Sequence, residues 1–199
     1  MGKLLTRLNA ELADLAATAR AALVRVGVRG AFGVGSGIIL HPEGLILTNA
    51  HVVRGEPIWV RLTNGQQLPA KVLGRDPTGD LAALLVHAGG LPALELAAAE
   101  PAPGSLVLAL GHPWGVEAAA SFGVVTGLAA DEVGREWVLV NLRLRPGNSG
   151  GPLVDAAGRV VGINTIMTGA ETGAAVSVRS ARAFLKRVLA EHLRPAAAG

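Results

Sequence analysis

The sequence predicts an all-β fold of two barrel-like lobes, each with about six short strands, and a short helix at either end. Half of the 199 residues are hydrophobic but only 3% are aromatic, so the core must consist of Val, Leu, Ile and Ala. The 27 glycines and 11 prolines are scattered between short apolar runs, which is typical of many strands joined by turns. Within the run 24–28, valines alternate with other residues, which is the period of a half-buried strand.

The first element is expected to be an amphipathic helix from residue 3 to about residue 21. Its leucines recur at helical spacing, at Leu4, Leu5, Leu8, Leu12 and Leu15. Charges at Arg7, Glu11 and Asp14 interrupt any apolar core of a signal peptide. We therefore expect a cytoplasmic protein as the sequence stands, or a periplasmic or other extracytoplasmic one if a targeting segment has been removed.

The apolar period changes to that of strands after residue 22. A first set of strands is predicted at residues 24–28, 36–40, 45–48, 57–62, 68–73, 81–86 and 105–110, and a second at 121–127, 136–142, 152–154, 159–167 and 174–178. Helical spacing returns from residue 180 to about 193. The predicted division is a helix over 1–21, a domain over 22–178 with lobes at 22–111 and 119–178, and a helix and tail over 179–199.

Composition excludes several classes of function. Lys and Arg number 18 against 15 Asp and Glu, without a basic run, so we expect no nucleic-acid partner. The absence of cysteine excludes disulfides, thiol nucleophiles and cysteine-based metal sites. No uninterrupted apolar stretch is long enough to insert into a membrane. Four histidines without ligand-like spacing are interpreted as surface residues, and no metal or cofactor is expected: His41, His87, His112 and His192.

The segment GNSGGPLV at residues 147–154 points to nucleophilic chemistry. Glycines on both sides of Ser149 indicate a tight bend, because glycine adopts conformations that other residues avoid. A serine hydroxyl needs a base to take its proton, and His51 is the candidate base. Asp80 is the candidate that orients His51, which gives the known triad order His, Asp, Ser. Asp76 stands four residues earlier, and we interpret it as a turn residue.

The same turn predicts donors for a developing oxyanion. We expect the backbone N–H groups of Gly147 and Ser149 to converge on one point. Asn148, directly before the serine, is neutral and cannot pair with a newly released α-amino group. We therefore expect no zymogen activation of the kind that depends on such a pair.

Five segments resemble the HtrA (DegP/DegQ-like) family of trypsin-like serine proteases, over roughly residues 22–178: GSGIIL at 35–40, LTNAHVV at 47–53, DPTGDLA at 76–82, PGNSGGPL at 146–153 and GINT at 162–165. The resemblance implies a chymotrypsin-like fold of two perpendicular six-stranded antiparallel barrels, with the triad between them. It implies an endopeptidase that acts through an acyl-enzyme on unfolded or damaged proteins. The family's PDZ domains and its aromatic trimer-forming segment have no counterpart here, so a homotrimer lacks support from the N-terminus.

The resemblance also implies which residues line the S1 pocket: Leu144, Ile166, Met167 and Thr168. These predict an aliphatic residue before the cleaved bond. Arg143 is the alternative, because a guanidinium in the pocket would favour an acidic residue. We favour an Arg143 that points to solvent, since burying an unpaired charge is costly.

Other functions remain open at this stage. Gly147, Ser149 and Gly151 also match the nucleophile elbow of α/β-hydrolases, but that fold needs a helix after the serine and a histidine downstream. Pro152 and the strand period of residues 159–167 disfavour it. The remaining alternative is a non-proteolytic peptide-binding or chaperone-like module on the same fold.

Overall fold

A computed structural model of the chain describes residues 2–28, 31–55, 57–167 and 172–192, without the side chains of 31–34, 166 and 167. In these ranges the chain forms two closed antiparallel barrels of six strands each and two α-helices. The all-β, two-barrel prediction is therefore confirmed. Within the same ranges, neither helix is long and apolar enough to span a membrane.

The first barrel consists of β1 (Leu23–Val28), β2 (Ala31–His41), β3 (Leu45–Thr48), β4 (Ile58–Arg61), β5 (Gln67–Asp76) and β6 (Leu81–Val86). Its strands follow the order β1-β2-β3-β6-β5-β4, and β4 closes the barrel by pairing with β1. The Asn64-Gly65 turn joins β4 to β5, as the sequence predicts, with Gly65 at a φ of 86°.

The second barrel consists of β7 (Leu106–Gly111), β8 (Ala119–Ala130), β9 (Glu136–Val140), β10 (Pro152–Asp155), β11 (Val160–Met167) and β12 (Gly173–Ser177). Their order is β10-β11-β12-β9-β8-β7. The predicted lobe boundary at residue 111 is wrong, because β7 pairs with β8 and β10. The segment between β6 and β7 connects the two barrels. Residues 112–115 follow β7 and lie in the segment that joins it to β8 within the second barrel. Strand periodicity locates a strand but does not identify its partner.

The barrel interiors are aliphatic, as the composition predicts. The largest fully buried side chains are all leucine, isoleucine or valine, among them Leu23, Ile46, Leu84, Leu110 and Ile163. Branched side chains suit a pleated surface that packs on one face. Each barrel therefore supplies a close-packed support for the loops at its ends.

The two helices differ in how much of their apolar face is packed. Helix α1 (Gly2–Ala21) buries Ala16 and Ala19, whereas the leucines of its first turns stay exposed, at 71% for Leu4 and 62% for Leu5. Helix α2 (Val178–His192) buries Phe184, Leu185 and Val188 among other residues. The predicted leucine face of α1 thus contacts the barrels only towards its C-terminal end.

Candidate active site

His51 and Asp80 meet because the strands that carry them are neighbours. His51 follows the end of β3 and Asp80 precedes β6, and these strands pair with Thr48 opposite Ala82. His51 Nδ1 lies 2.8 Å from Asp80 Oδ2 and 3.0 Å from Oδ1. The backbone N–H of His51 also donates to Oδ1, at 3.0 Å. Because a carboxylate only accepts, Nδ1 carries the proton and Nε2 of the neutral imidazole is left as an acceptor.

The backbone of Asp80 is held by a hydrogen bond from the Asn49 side chain. Asn49 Nδ2 donates to the backbone oxygen of Asp80 at 2.9 Å and to Thr165 Oγ1 at 3.0 Å. Asn49 is fully buried and Asp80 is only 8% exposed. Since Thr165 lies on β11 of the second barrel, this amide links the backbone of Asp80 in the first barrel to the second barrel.

Asp76 lies outside this constellation. Its Oδ1 accepts the N–H of Gly79 at 2.8 Å, and its Oδ2 lies 2.8 Å from the Arg187 guanidinium. This is the local turn that the sequence predicts for Asp76, with an added contact to α2. The residue that approaches His51 is therefore Asp80.

Ser149 lies in the glycine turn between β9 and β10, near His51. Its hydroxyl donates to the backbone oxygen of Thr165 at 2.9 Å. The hydroxyl must therefore leave the Thr165 carbonyl before it can donate to His51 Nε2. Thr165 is the residue that connects the two halves of the site, through its hydroxyl to Asn49 and through its carbonyl to Ser149.

The Gly147 and Ser149 N–H groups are expected to bind an oxyanion. The orientation of each is set by a hydrogen bond to the carbonyl oxygen of the same peptide group. The Pro146 carbonyl accepts from the Trp114 N–H at 3.0 Å, and the Asn148 carbonyl accepts from the Gly151 N–H at 2.9 Å. In a trans peptide the N–H points away from the carbonyl. Within the described ranges, neither the Gly147 nor the Ser149 N–H has an acceptor, so both remain available to a substrate.

Ser36 supports the same turn from the first barrel. Its N–H donates to the Ser149 carbonyl and its hydroxyl donates to the Gly147 carbonyl, both at 2.7 Å. Its own carbonyl accepts from Thr48 Oγ1 at 2.6 Å. Ser36 therefore positions Gly147 and Ser149, the two residues whose N–H groups are expected to bind an oxyanion.

The close approach of two backbone carbonyls, those of Ser36 and His112, explains the need for glycine at two positions. A Cβ on Gly150 would lie 2.1 Å from the Ser36 carbonyl oxygen, and one on Gly147 would lie 2.2 Å from the His112 oxygen. Both residues also have positive φ, 84° and 102°. Only glycine satisfies both the space and the backbone conformation at these positions.

His112 is buried, at 9% exposure, so its interpretation as a surface residue is wrong. Its Nδ1 lies 3.0 Å from Ser36 Oγ, and its N–H donates to the same oxygen at 3.1 Å. Because the Ser36 proton is given to Gly147, Nδ1 is assigned as a donor. Burial, with the positive charges of Arg25 and Arg61, lowers the pKa of His112 from 6.5 to about 4.

We expect His112 to make the protein less stable as the pH falls from 6.5 to about 4. In that interval the unfolded chain binds a proton that the folded chain does not, so the free energy of unfolding rises with pH and the full contribution is present above 6.5. The contribution is about 3 kcal/mol, since one pKa unit corresponds to about 1.4 kcal/mol. Urea unfolding of His112→Asn, whose amide can still donate to Ser36, should lose this part of the pH slope. Equal slopes for both proteins would contradict the assignment.

The residues predicted to line the S1 pocket are only partly described. Leu144 is buried, and a Cβ on Gly173 would lie 2.9 Å from its side chain, so it packs against β12. Arg143 is exposed. Ile166 and Met167 lie on β11 with side chains outside the described part of the chain, and Thr168 lies outside it altogether.

Sequence reasoning missed the supporting residues, namely Ser36, Asn49, Trp114 and Thr165. Three of these fall inside the segments that carry the family resemblance, at residues 35–40, 47–53 and 162–165, which was the available signal. Their roles depend on hydrogen bonds between barrels, which spacing does not reveal. In the described ranges, His, Asp and Glu do not cluster in threes as a metal site would require.

Comparisons with known proteins agree with this geometry. The sequence profile of the trypsin-like peptidase domain matches residues 35–163. A probable periplasmic serine endoprotease, DegP-like, from Hahella chejuensis is 41% identical over 71% of the chain and 31% of its own length. The mitochondrial serine protease HTRA2 of Drosophila persimilis is 36% identical over 77% and 38%, respectively. The chain thus spans about a third of the length of these curated relatives.

Solved structures give the same picture. The HtrA-type protease AlgW with tripeptide has a TM-score of 0.82 and 30% identity, covering 90% of this chain and 64% of that one. A serine endoprotease from Yersinia pestis has a TM-score of 0.80 and 30% identity, covering 90% and 67%. The shared part includes both barrels.

Proposed function

Since the chain belongs to the trypsin-like peptidase family, among its HtrA/DegP-like members, we propose that it is a serine endopeptidase that hydrolyses peptide bonds of unfolded or partly folded proteins. The observation that carries the proposal is the His51–Asp80 pair, joined by Nδ1 and by the backbone N–H, beside a serine in a glycine turn. In this proposal His51 is the base, and its Nε2 is available as an acceptor. Ser149 is the nucleophile, and the Gly147 and Ser149 N–H groups are donors for the oxyanion.

The proposed reaction proceeds in two stages. Ser149 Oγ attacks the substrate carbonyl while His51 Nε2 takes its proton, and Asp80 stabilises the imidazolium that forms. The Gly147 and Ser149 N–H groups bind the oxyanion. His51 then gives the proton to the leaving amine, which leaves an acyl group on Ser149. Water, deprotonated by His51, attacks this ester and releases the second product and the free serine.

The proposed preference is for an aliphatic residue before the cleaved bond. The buried Leu144 supports an apolar pocket, and the exposure of Arg143 disfavours a guanidinium at its floor. AlgW was solved with a tripeptide and with a decapeptide, which supports a peptide ligand for this chain as well. Cleavage of a peptide library should occur after Val, Ala or Leu. Predominant cleavage after Asp or Glu would instead indicate that the Arg143 guanidinium lies in the pocket.

A fluorophosphonate probe tests the enzyme proposal directly. The folded protein is expected to form one adduct, mapped by mass spectrometry to Ser149, and the heat-unfolded protein none. Ser121→Ala, a change at an exposed serine of β8, is the matched control and should be labelled like the wild type. Labelling is followed over a range of temperatures, because the Ser149 hydroxyl first has to leave Thr165. A folded protein that binds unfolded polypeptide without being labelled would favour the chaperone-like alternative.

A further inference from the structure

A polar pocket lies where the end of the first barrel meets the segment that follows β7. Its volume is about 120 Å³, and its polar walls are Arg25, Arg61, Thr63, His112 and Glu117. Arg25 on β1 and Arg61 on β4 are directly opposite each other in the antiparallel pair. Like charges in that position repel, so the barrel carries an unfavourable pair of guanidinium groups at this point.

The charges around the pocket do not neutralise this pair. In the described ranges, the Arg61 guanidinium has neither a hydrogen bond nor an ion pair. Arg25 donates through NH2 to the Gly115 carbonyl at 2.6 Å, while its Nε is buried without a partner. The Glu117 carboxylate lies 3.6 Å from Arg25, and its side chain is 72% exposed, so its contribution is largely screened by water.

We propose that this Arg25–Arg61 pocket binds a tetrahedral oxyanion of the phosphate class. Guanidinium groups present several N–H donors in a planar fork that matches phosphate oxygens. Thr63, in the turn after β4, also lines the pocket, and its hydroxyl is a further candidate donor. A dianion offsets both guanidinium charges, whereas a carboxylate offsets one. The exposed Glu117 side chain can turn away into solvent as the anion enters.

The pocket is linked to the oxyanion donors of the proposed protease, and this part of the inference rests on the proposed function. Arg25 holds the Gly115 carbonyl, and the preceding residue, Trp114, orients the Pro146–Gly147 peptide through its N–H. Trp114 has a φ of 49°, a conformation that a non-glycine residue adopts only when its surroundings hold it. An anion that fixes Arg25 therefore also fixes the loop that orients the Gly147 N–H.

Calorimetry and thermal unfolding with inorganic phosphate test the site, with acetate and chloride at matched ionic strength. We expect saturable binding and a rise in Tm with phosphate only. O-phosphoserine is the second arm: binding there identifies a phosphoryl ester as a ligand, and binding of inorganic phosphate alone identifies the free ion. Arg61→Gln should weaken phosphate binding at least tenfold, whereas Arg75→Gln, an exposed arginine on β5 outside the pocket, should leave it unchanged. Absence of saturation, or equal effects of both changes, would overturn the proposal.

An NMR titration of the His112 ring in the wild-type protein provides a measurement that needs no variant. Of the charged residues that line the pocket with His112, Arg25 and Arg61 are positive and Glu117 is negative. Burial is the largest cause of the low pKa of His112 and stays when phosphate binds, but bound phosphate should raise this pKa above about 4, because the anion offsets positive charge on Arg25 and Arg61. An unchanged pKa at saturating phosphate would place the anion elsewhere. Neither measurement involves catalysis, so an inactive protein that binds phosphate would refute only the proposed protease activity.

Discussion

Replacing Ser149 with alanine is expected to lower kcat for peptide hydrolysis by roughly 10⁶-fold, the loss typical of removing a triad nucleophile. The substitution removes the oxygen that forms the acyl-enzyme, and neither His51 nor the N–H donors can replace it. Among the residues that the structure describes, the hydroxyl makes a single hydrogen bond, to the Thr165 carbonyl. Because Ser149 is only partly buried, water can replace this hydrogen bond, and the Tm should change little.

The measurement is hydrolysis of a peptide with an aliphatic residue before the cleaved bond, at enzyme concentrations that make the residual rate detectable. Ser121→Ala serves as the control for loss of a surface hydroxyl. Activity of Ser149→Ala within tenfold of the wild type would contradict the assignment of the nucleophile, provided that the preparation is free of other proteases.

Replacing Asp80 with asparagine is expected to lower kcat about 10⁴-fold by reversing the tautomer of His51. Asp80 Oδ1 accepts the backbone N–H of His51, and this N–H cannot change from donor to acceptor. The amide oxygen of asparagine should therefore stay on the backbone, which turns the amide NH₂ towards Nδ1. Nδ1 must then accept, so the proton moves to Nε2 and the base is lost.

Two measurements separate this reason from a loss of folding. The ¹⁵N chemical shifts of the His51 ring report which nitrogen carries the proton, and they should exchange between Nδ1 and Nε2 in Asp80→Asn. Asp76→Asn is a matched control, because its amide oxygen can still accept from Gly79 and its site lies outside the pair with His51. We expect Asp76→Asn to retain activity within a few fold. A loss as large as that of Asp80→Asn would make Asp76 a candidate for the carboxylate that orients His51.

Much of the fold could be predicted because its strands are short and each has a local signature. Each of the twelve strands in the described part of the chain overlaps a predicted one, and the aliphatic core follows from the composition. The allocation of β7 to a barrel could not be predicted, because hydrogen-bond partners across a sheet leave no mark on one strand's own sequence. The wrong boundary at residue 111 has that origin.

The proposed site divides in the same way. The glycines around Ser149 predict a bend because the positive φ of Gly147 and Gly150 is a local requirement. The lack of room for a Cβ comes from the Ser36 and His112 carbonyls, which only folding brings there. Asp80 could be preferred to Asp76 from sequence context, and the contact with His51 agrees with that choice. The catalytic roles themselves stay predictions until the substitutions above are measured.

By itself, the sequence determined the fold class, the family and the residues that could act as nucleophile, base and orienting carboxylate. Only the tertiary structure decided that His112 is buried beside two arginines, that Ser36 holds the glycine turn, and that the Ser149 hydroxyl donates to Thr165. The physical reason is the range of the interactions. Turns and strand periods depend on neighbours along the chain, whereas burial, hydrogen-bond partners and pKa values depend on residues that folding brings together from distant positions.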